Sequence, residues 1–204
     1  MATHCAQLLG ASALEEGART EVGSQVRAFF GLPVPDAQRA AMADFLTACA
    51  SAAPQFRWTP AGNLHLTVRF IGNVDRTLVE AIADRLAARS QPAFDLELDD
   101  LGTFGHRRHV RVVWQGLREG AEAVAALVAQ VEAQCATAGL VAEKRPFQAH
   151  MTLARARPRD GADLARLPEP PRVGRWRASE LVLYASRLSR TGATYEPLRV
   201  VKLD

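Results

Sequence analysis

The stretch NLHLTVRF, residues 63–70, places a histidine and a threonine two positions apart inside an apolar run. The stretch QAHMTLAR, residues 148–155, repeats this arrangement further along the chain. Side chains alternate between the two sides of a β-strand, so His65 and Thr67 share one face of the first predicted strand. His150 and the threonine after it share one face of the second. Each strand is therefore expected to bury an aliphatic row and to present an imidazole and a hydroxyl on its other side.

The order of predicted elements favours an α+β fold. Strands and helices alternate from residue 25 onwards, and several strand-to-strand links are short enough for hairpins, which predicts largely antiparallel sheets. Residues 25–100 and 101–204 each contain a strand, a helix and one motif strand, which suggests an internal duplication. We expect a single domain over residues 25–204, made of these two lobes with exchange of strands left open. Residues 1–24 are predicted to be a weakly ordered N-terminal extension.

Composition excludes several classes of protein. The chain has 204 residues, of which 48% are apolar and 23% charged, as in an ordinary globular protein. No apolar run approaches the ~18 residues that a membrane helix needs, so no membrane partner is expected. The three cysteines, Cys5, Cys49 and Cys135, show no Cys-x-x-Cys spacing, which argues against a disulfide framework or a zinc site and favours the cytoplasm. Cys49 and Cys135 are predicted to be small buried residues of helices.

Nearly all of the positive charge is arginine, since only Lys144 and Lys202 are lysines among 25 basic residues. A GC-rich coding sequence explains this bias, and phosphate binding is the functional alternative, because guanidinium groups bind phosphate oxygens in pairs. The segment GHRRHVR, residues 105–111, concentrates histidines and arginines around a predicted hairpin turn. It is either a solvated turn or a phosphate-contacting lip. Trp58, Trp114 and Trp176 are expected to pack in the core or between the lobes.

The two histidines suggest phosphodiester hydrolysis without a metal. One group must take a proton from water while another donates a proton to the leaving oxygen, and histidine suits both roles near neutral pH. A single His-x-Thr would be interpreted as a chance feature of a half-buried strand, but the repeated motif favours function. Zinc binding is less consistent with the sequence, because no third or fourth ligand stands at a suitable spacing and threonine is a poor zinc ligand.

The phrases HLTV and HMTL resemble the paired motifs of the 2H phosphoesterase superfamily. The segments FFGLPVP, NLHLTVRFIG, RPFQAHMTLAR and YEPL resemble the RNA 2′,3′-cyclic phosphodiesterases, also called 2′-5′ RNA ligases, from about Val26 to the C-terminus. This resemblance implies two pseudo-symmetric lobes, each an antiparallel sheet backed by helices, around a central cleft. It also implies metal-independent, cofactor-free opening of RNA 2′,3′-cyclic phosphates to 2′-phosphomonoesters, with 2′-5′ joining as the reverse reaction. The expected partners are RNA ends with a 2′,3′-cyclic phosphate, such as tRNA halves, and the chain is expected to be a monomer.

Carried over by position, the resemblance assigns catalysis to His65 and His150 and substrate binding to four residues: Thr67, Thr152, Arg155 and Phe70. Phe70 and Arg155 each stand five positions after a motif histidine, and Phe70 either borders the nucleoside or belongs to the core. Strict alternation would turn Arg155 away from His150, so its assignment requires the strand to end or twist after Leu153. The same alternation places Arg69 on the motif face or at its solvent-exposed rim.

The predicted roles make His65 the proton donor to the departing 3′-oxygen and His150 the proton acceptor for water. The reason is the positive charge of Arg155 and of the segment EKRP beside the second motif, which should lower the pKa of His150. Two alternatives stay open. The first is a phosphodiesterase acting on 2′,5′-oligonucleotides or small cyclic nucleotides, and the second is an RNA-end binding module without catalysis.

Overall fold

A computed structural model describes residues 24–106, 109–189 and 192–204. All of the predicted N-terminal extension except Ser24 lies outside these residues, as do the two arginines at the centre of the segment GHRRHVR. The described chain forms three α-helices, α1 (Asp36–Ala52), α2 (Arg76–Ala87) and α3 (Ala121–Thr137). It also forms nine strands: β1 (Gln25–Pro33), β2 (Phe56–Trp58), β3 (His65–Asp75), β4 (Phe94–His106), β5 (His109–Glu119), β6 (Met151–Ala156), β7 (Trp176–Ala178), β8 (Glu180–Leu188) and β9 (Ala193–Lys202).

The helices follow the apolar periodicity of the sequence. In α1 the buried residues stand three or four apart and include Cys49, and α3 buries Cys135 in the same way. Both cysteines are free and buried, as predicted. Helix α2 begins after Asp75, whose carboxylate accepts a hydrogen bond from the backbone N–H of Leu78 at 3.1 Å. No helix within the described ranges is both long and apolar enough to cross a membrane.

Every strand pairing in the sheet is antiparallel, which confirms the predicted α+β class. The strand order is β7-β4-β5-β6-β3-β1-β8-β9, with β2 paired to β6. The order mixes the two parts of the sequence, because the C-terminal hairpin β8–β9 adds to β1 and β3. The motif strands β3 and β6 are neighbours at the centre, and Leu66 and Met151 form their one paired position. The short strands β2 and β7 were not predicted from the sequence.

A β-bulge interrupts the alternation of β3 directly after the first motif. Thr67 pairs with Gly31 and Arg69 pairs with Phe30, so Val68 has no partner on β1. The extra residue shifts the side chains that follow by one position, and both Val68 and Arg69 are buried. The expectation that Arg69 lies on the motif face or points to solvent is therefore wrong. Phe70, the next residue, comes onto the motif face instead.

A second bulge stands at the matching position of β6. Thr152 pairs with Trp114 and Ala154 pairs with Val113, so Leu153 has no partner on β5. The strand continues to Ala156 rather than ending after Leu153, and the bulge provides the change of phase. As a result, Arg155 is exposed on the same side as Thr152. Both motif strands thus bring the fifth residue after the histidine to the motif face.

Two apolar clusters hold this sheet. The larger contains the buried faces of all three helices and the aliphatic residues of β3 and β6 that alternate with the motif residues. The smaller lies around Phe56 and Val113. Trp58 packs against both clusters and Trp176 is buried in the larger one, which confirms their predicted structural role. Trp114 differs, because its ring packs beside His150.

Candidate active site

The two motif histidines are anchored in the same way. Nδ1 of His65 lies 2.7 Å from the carbonyl oxygen of Asn63, and Nδ1 of His150 lies 2.7 Å from that of Gln148. A carbonyl oxygen only accepts hydrogen bonds, so Nδ1 carries the hydrogen on both rings. Nε2 is then the nitrogen left for proton transfer in each case. In His65, Nε2 lies 3.1 Å from the hydroxyl oxygen of Thr67.

Aromatic rings enclose His65. The ring centroid of Phe29 lies 4.8 Å away, and Tyr195 meets the imidazole edge-on at 5.1 Å. Tyr184 stands at 6.4 Å and itself stacks on Phe29. These rings come from β1, β8 and β9, which follow β3 in the sheet, so the strand order builds the enclosure.

A second set of aromatic rings supports His150. Phe104 meets its imidazole edge-on at 5.1 Å, and Trp114 lies at 6.0 Å. The Trp114 ring covers Gly102 on β4, where an added Cβ would lie 2.2 Å from the indole. Glycine is therefore required at position 102 for the indole to support His150.

A cleft of about 1060 Å³ opens beside the motif strands. The predicted residues that line it are His150, Thr67, Thr152, Arg155 and Phe70. His65 does not line this cleft and lies next to it inside its aromatic enclosure. The Phe70 side chain is 44% exposed, so the interpretation of Phe70 as a core residue is wrong. The guanidinium of Arg27 lies 4.6 Å from the centre of the Phe70 ring.

Burial lowers the pKa of both histidines. For His65 the hydrogen bond to the Asn63 carbonyl opposes this effect, whereas the charges of Arg155 and His150 add to it. For His150 the bond to the Gln148 carbonyl opposes burial and Arg155 adds to it. Arg155 therefore lowers the pKa of both rings, and its charge does not single out His150 as predicted. The lowered pKa values favour the neutral form of both imidazoles in the free protein, whereas a bound phosphate anion favours protonation of one of them.

Arg155 stands in surroundings that are poor in negative charge. Neighbouring side chains partly desolvate the exposed Arg155 and lower its pKa, the charge of Arg27 lowers it further, and only the nearby Tyr195 hydroxyl acts in the opposite direction. No carboxylate of the described residues lies within ion-pair distance of Arg155. A guanidinium without a counter-ion beside two imidazoles is suited to hold an anion.

The sequence reasoning named no role for several residues that surround the motifs. The segments FFGLPVP and YEPL, which carry Phe29 and Tyr195, were noted only for their resemblance. The resemblance marked the two segments as part of the family pattern, but it assigned no role to Phe29 or Tyr195. Phe104 and Arg27 carried no such signal, because only the strand pairing brings them beside the motif face.

Arg69 joins the first motif strand to the segment that leads into the second motif. Its Nε lies 3.0 Å from a Glu132 carboxylate oxygen on α3, and one of its terminal nitrogens donates to the Val141 carbonyl at 2.6 Å. Another terminal nitrogen lies 3.9 Å from Glu143. Residues 140–150 have no helix or strand of their own, so Arg69 is a principal tether of this segment.

We expect Arg69→Met to lower the free energy of unfolding by about 2 to 3 kcal/mol, because it leaves Glu132 and the Val141 carbonyl without their partner. Arg76→Met is the matched control, since its ion pair with Glu80 spans one half-buried helical turn and Glu80 keeps Arg199 as a partner. Its loss should cost about 0.5 kcal/mol. Urea unfolding of both variants measures the difference. Equal losses in the two variants would show that Arg69 is an ordinary surface charge.

A curled antiparallel sheet with two His-x-Thr strands beside one cleft defines the architecture of a 2H phosphoesterase. Comparison with protein families agrees, because the model described as "2'-5' RNA ligase superfamily" matches residues 33–190. The chain belongs to this superfamily.

Two curated relatives of this chain share the name RNA 2′,3′-cyclic phosphodiesterase. RNA 2′,3′-cyclic phosphodiesterase of Escherichia coli (strain K12) is 34% identical over 139 residues, which make up 68% of this chain and 75% of the relative. The protein of that name from Geobacillus stearothermophilus is 33% identical over 171 residues, or 80% of this chain. These residues make up 53% of that relative, so the chain spans about half of its length.

A solved structure shares the fold. The crystal structure of E. coli LigT complexed with 3′-AMP is 30% identical to this chain and superposes with a TM-score of 0.74. The match covers 88% of this chain and 99% of the LigT chain. The superposition therefore spans most of this chain and nearly all of the LigT chain.

Proposed function

We propose that this chain is an RNA 2′,3′-cyclic phosphodiesterase that opens the cyclic phosphate to a 2′-phosphomonoester by two-histidine acid–base catalysis. The observation that carries the proposal is the matched anchoring of His65 and His150. Both rings carry hydrogen on Nδ1 and leave Nε2 for chemistry, and the charge of Arg155 reaches both. The family membership and the names of the relatives support the choice of substrate.

The proposed reaction is an in-line displacement at phosphorus. A water oxygen forms the new bond to phosphorus while the bond to the 3′-oxygen breaks, and the 2′-oxygen keeps the phosphate. Nε2 of His150 takes the proton that water loses. His65, which is protonated on both ring nitrogens once the phosphate anion is bound, gives its Nε2 proton to the 3′-oxygen. The two proton transfers leave His150 protonated and His65 neutral, so exchange with solvent restores the starting state.

The non-bridging oxygens need donors as negative charge grows on them. The hydroxyls of Thr67 and Thr152 lie on the motif face, and the Arg155 guanidinium has no carboxylate partner in the described chain. We assign the phosphate to these three groups, because a guanidinium binds two phosphate oxygens at once. Phe70 borders the same cleft and is assigned to the nucleoside.

The assignment of the proton donor and acceptor rests on access to water. His150 lines the open cleft, whereas aromatic rings from three strands enclose His65. Attacking water reaches the open side more easily, which favours His150 as the proton acceptor. The leaving 3′-oxygen then faces the enclosed His65.

The proposed reaction requires no metal ion. Over residues 24–106, 109–189 and 192–204, no three His, Cys, Asp or Glu side chains are grouped to hold a metal. The paired imidazoles and Arg155 supply the proton transfer and the charge that a metal would otherwise provide. A 5′-hydroxyl of a second RNA, such as a tRNA half, would give 2′-5′ joining in place of water. We further propose that the enzyme is a monomer and acts in the cytoplasm.

A single assay tests this function. A short RNA ending in a 2′,3′-cyclic phosphate is incubated with the protein and an excess of EDTA, and the position of the product phosphate is determined. We expect 2′-phosphate at the same rate with and without EDTA. A loss of turnover that a divalent ion restores would contradict metal independence. A 3′-phosphate product would contradict the proposed bond cleavage, and tight binding without turnover would favour a binding module.

A further inference from the structure

The arginines at the outer part of the cleft have no role in the chemistry at phosphorus. Arg111, Arg157 and Arg159 line the cleft together with Arg155, and all are exposed. Arg155 lies near the end of β6, Arg157 and Arg159 follow this strand, and Arg111 lies on the neighbouring strand β5. We call these four arginines the arginine wall of the cleft. Its positive charge continues outwards from the proposed phosphate site.

The acidic residues of the cleft do not neutralise this wall. Its two carboxylates, Glu132 and Glu143, both face Arg69, and Glu143 also contacts Arg145 at 3.4 Å. Across the part of the chain that the structure describes, no carboxylate lies within ion-pair distance of Arg111, Arg157 or Arg159. Most other surface arginines of the sheet, such as Arg118 and Arg187, have carboxylate partners.

Local contacts fix the positions of two of these arginines at the cleft. Phe104 pairs with Val112 and Gly105 pairs with Val110, so Arg111 stands at a bulge without a partner on β4. Nε of Arg157 donates to the Pro54 carbonyl at 3.1 Å, which holds the side chain and leaves its terminal nitrogens for a ligand. The wall is thus partly ordered before any ligand binds.

Exposed aromatic surface accompanies these charges. Phe147 lines the same cleft and is 38% exposed, and Phe70 lies on the motif side of it. Arginines along a groove together with exposed aromatic rings are the features that bind single-stranded nucleic acid, whose phosphates need cations and whose bases stack.

We propose that Arg111, Arg157 and Arg159 form a track for the backbone of single-stranded RNA next to its terminal cyclic phosphate. This inference rests on the proposed function and deepens it. The substrate is an RNA strand of several nucleotides whose inner phosphates bind the track, rather than a free cyclic mononucleotide. Arg155 holds the terminal phosphate, and the three outer arginines hold those that precede it.

The test compares two substrates, a five-nucleotide RNA ending in a 2′,3′-cyclic phosphate and a 2′,3′-cyclic mononucleotide. The quantity compared is kcat/KM on the five-nucleotide RNA divided by kcat/KM on the mononucleotide. Arg111→Gln and Arg159→Gln should each lower this ratio about fivefold, and the double variant should lower it about 25-fold. Arg89→Gln is the matched control, because it removes the same charge from an exposed position outside the cleft. Its ratio should equal that of the wild-type protein.

Binding of a fluorescent five-nucleotide RNA with a 3′-phosphate, measured by anisotropy over a range of salt concentrations, separates the track from catalysis. Each lost phosphate contact should reduce the slope of log K against log salt by about 0.7. If the substitutions reduce the slope in this way but the wild-type protein does not turn over the cyclic-phosphate RNA, the track would be supported and the proposed function overturned. Substitutions that act no more strongly than Arg89→Gln in both measurements would overturn the track.

Discussion

A substrate with an activated leaving group should restore most of the activity that His65→Ala loses and little of the activity that His150→Ala loses. Each substitution should reduce kcat on RNA 2′,3′-cyclic phosphate by about 10²- to 10⁴-fold, the usual contribution of general acid or base catalysis. A nitrophenolate in place of the 3′-oxygen leaves without a proton, so it no longer needs His65. Water still needs a base, so His150 stays necessary.

The rescue is measured as the ratio of variant to wild-type kcat on an aryl phosphodiester and on the cyclic substrate. Thermal unfolding of each variant serves as the control for folding, because both rings pack against aromatic neighbours. Equal rescue of the two variants, or rescue of His150→Ala alone, would contradict the assigned roles. It would leave the pair of histidines as the catalytic groups.

Replacement of Arg155 should have an effect of similar size and an additional signature in pH. We expect Arg155→Met to lower kcat/KM by about 10²- to 10³-fold, as for the loss of a preorganised donor to a developing anion. Arg155 lowers the pKa of both His65 and His150, so its removal raises both values. The base must be neutral to act, and the acidic limb of the kcat/KM profile should therefore move to higher pH.

Arg155→Lys distinguishes charge from geometry. Lysine keeps the positive charge and so keeps both histidine pKa values low, but it cannot bind two phosphate oxygens side by side. It should therefore lose rate without moving the acidic limb. NMR titration of the two imidazoles measures the shifts directly. A shift of His150 alone in Arg155→Met would contradict the shared influence of this charge.

The alternation in the sequence was sufficient to predict which side chains of the two motifs face the core. Leu66 and Met151 are fully buried and the motif residues beside them are half-buried, because alternation holds up to Thr67 and Thr152. Beyond these threonines it fails, since a bulge depends on the hydrogen-bonding register with a neighbouring strand. That register is a tertiary property that one strand's sequence does not contain. The wrong placement of Arg69 and the incomplete account of Arg155 have this common cause.

The surroundings of the histidines were also beyond the reach of sequence reasoning. Phe29 meets His65 because β1 pairs with β3, and Tyr195 meets it because the C-terminal hairpin adds to β1. Trp114 supports His150 only because Gly102 leaves room for its ring. These contacts join residues far apart in the chain. Composition left phosphate binding open as a role for the arginines, but it could not show which arginines already have carboxylate partners, as Arg69 has.

The motif strands are the most sparsely paired neighbours in the described part of the sheet. Many hydrogen-bonded pairs stiffen each side, whereas Leu66 and Met151 alone join β3 to β6. Rotation about this pair would disrupt few backbone hydrogen bonds of the sheet, yet it would change the distance between His65 and His150, which stand directly beside it. Among the pairings of the described sheet, the one that sets the separation of the two imidazoles therefore has the fewest paired positions. Tightening around a phosphorus atom whose bonds lengthen and shorten would require little reorganisation elsewhere.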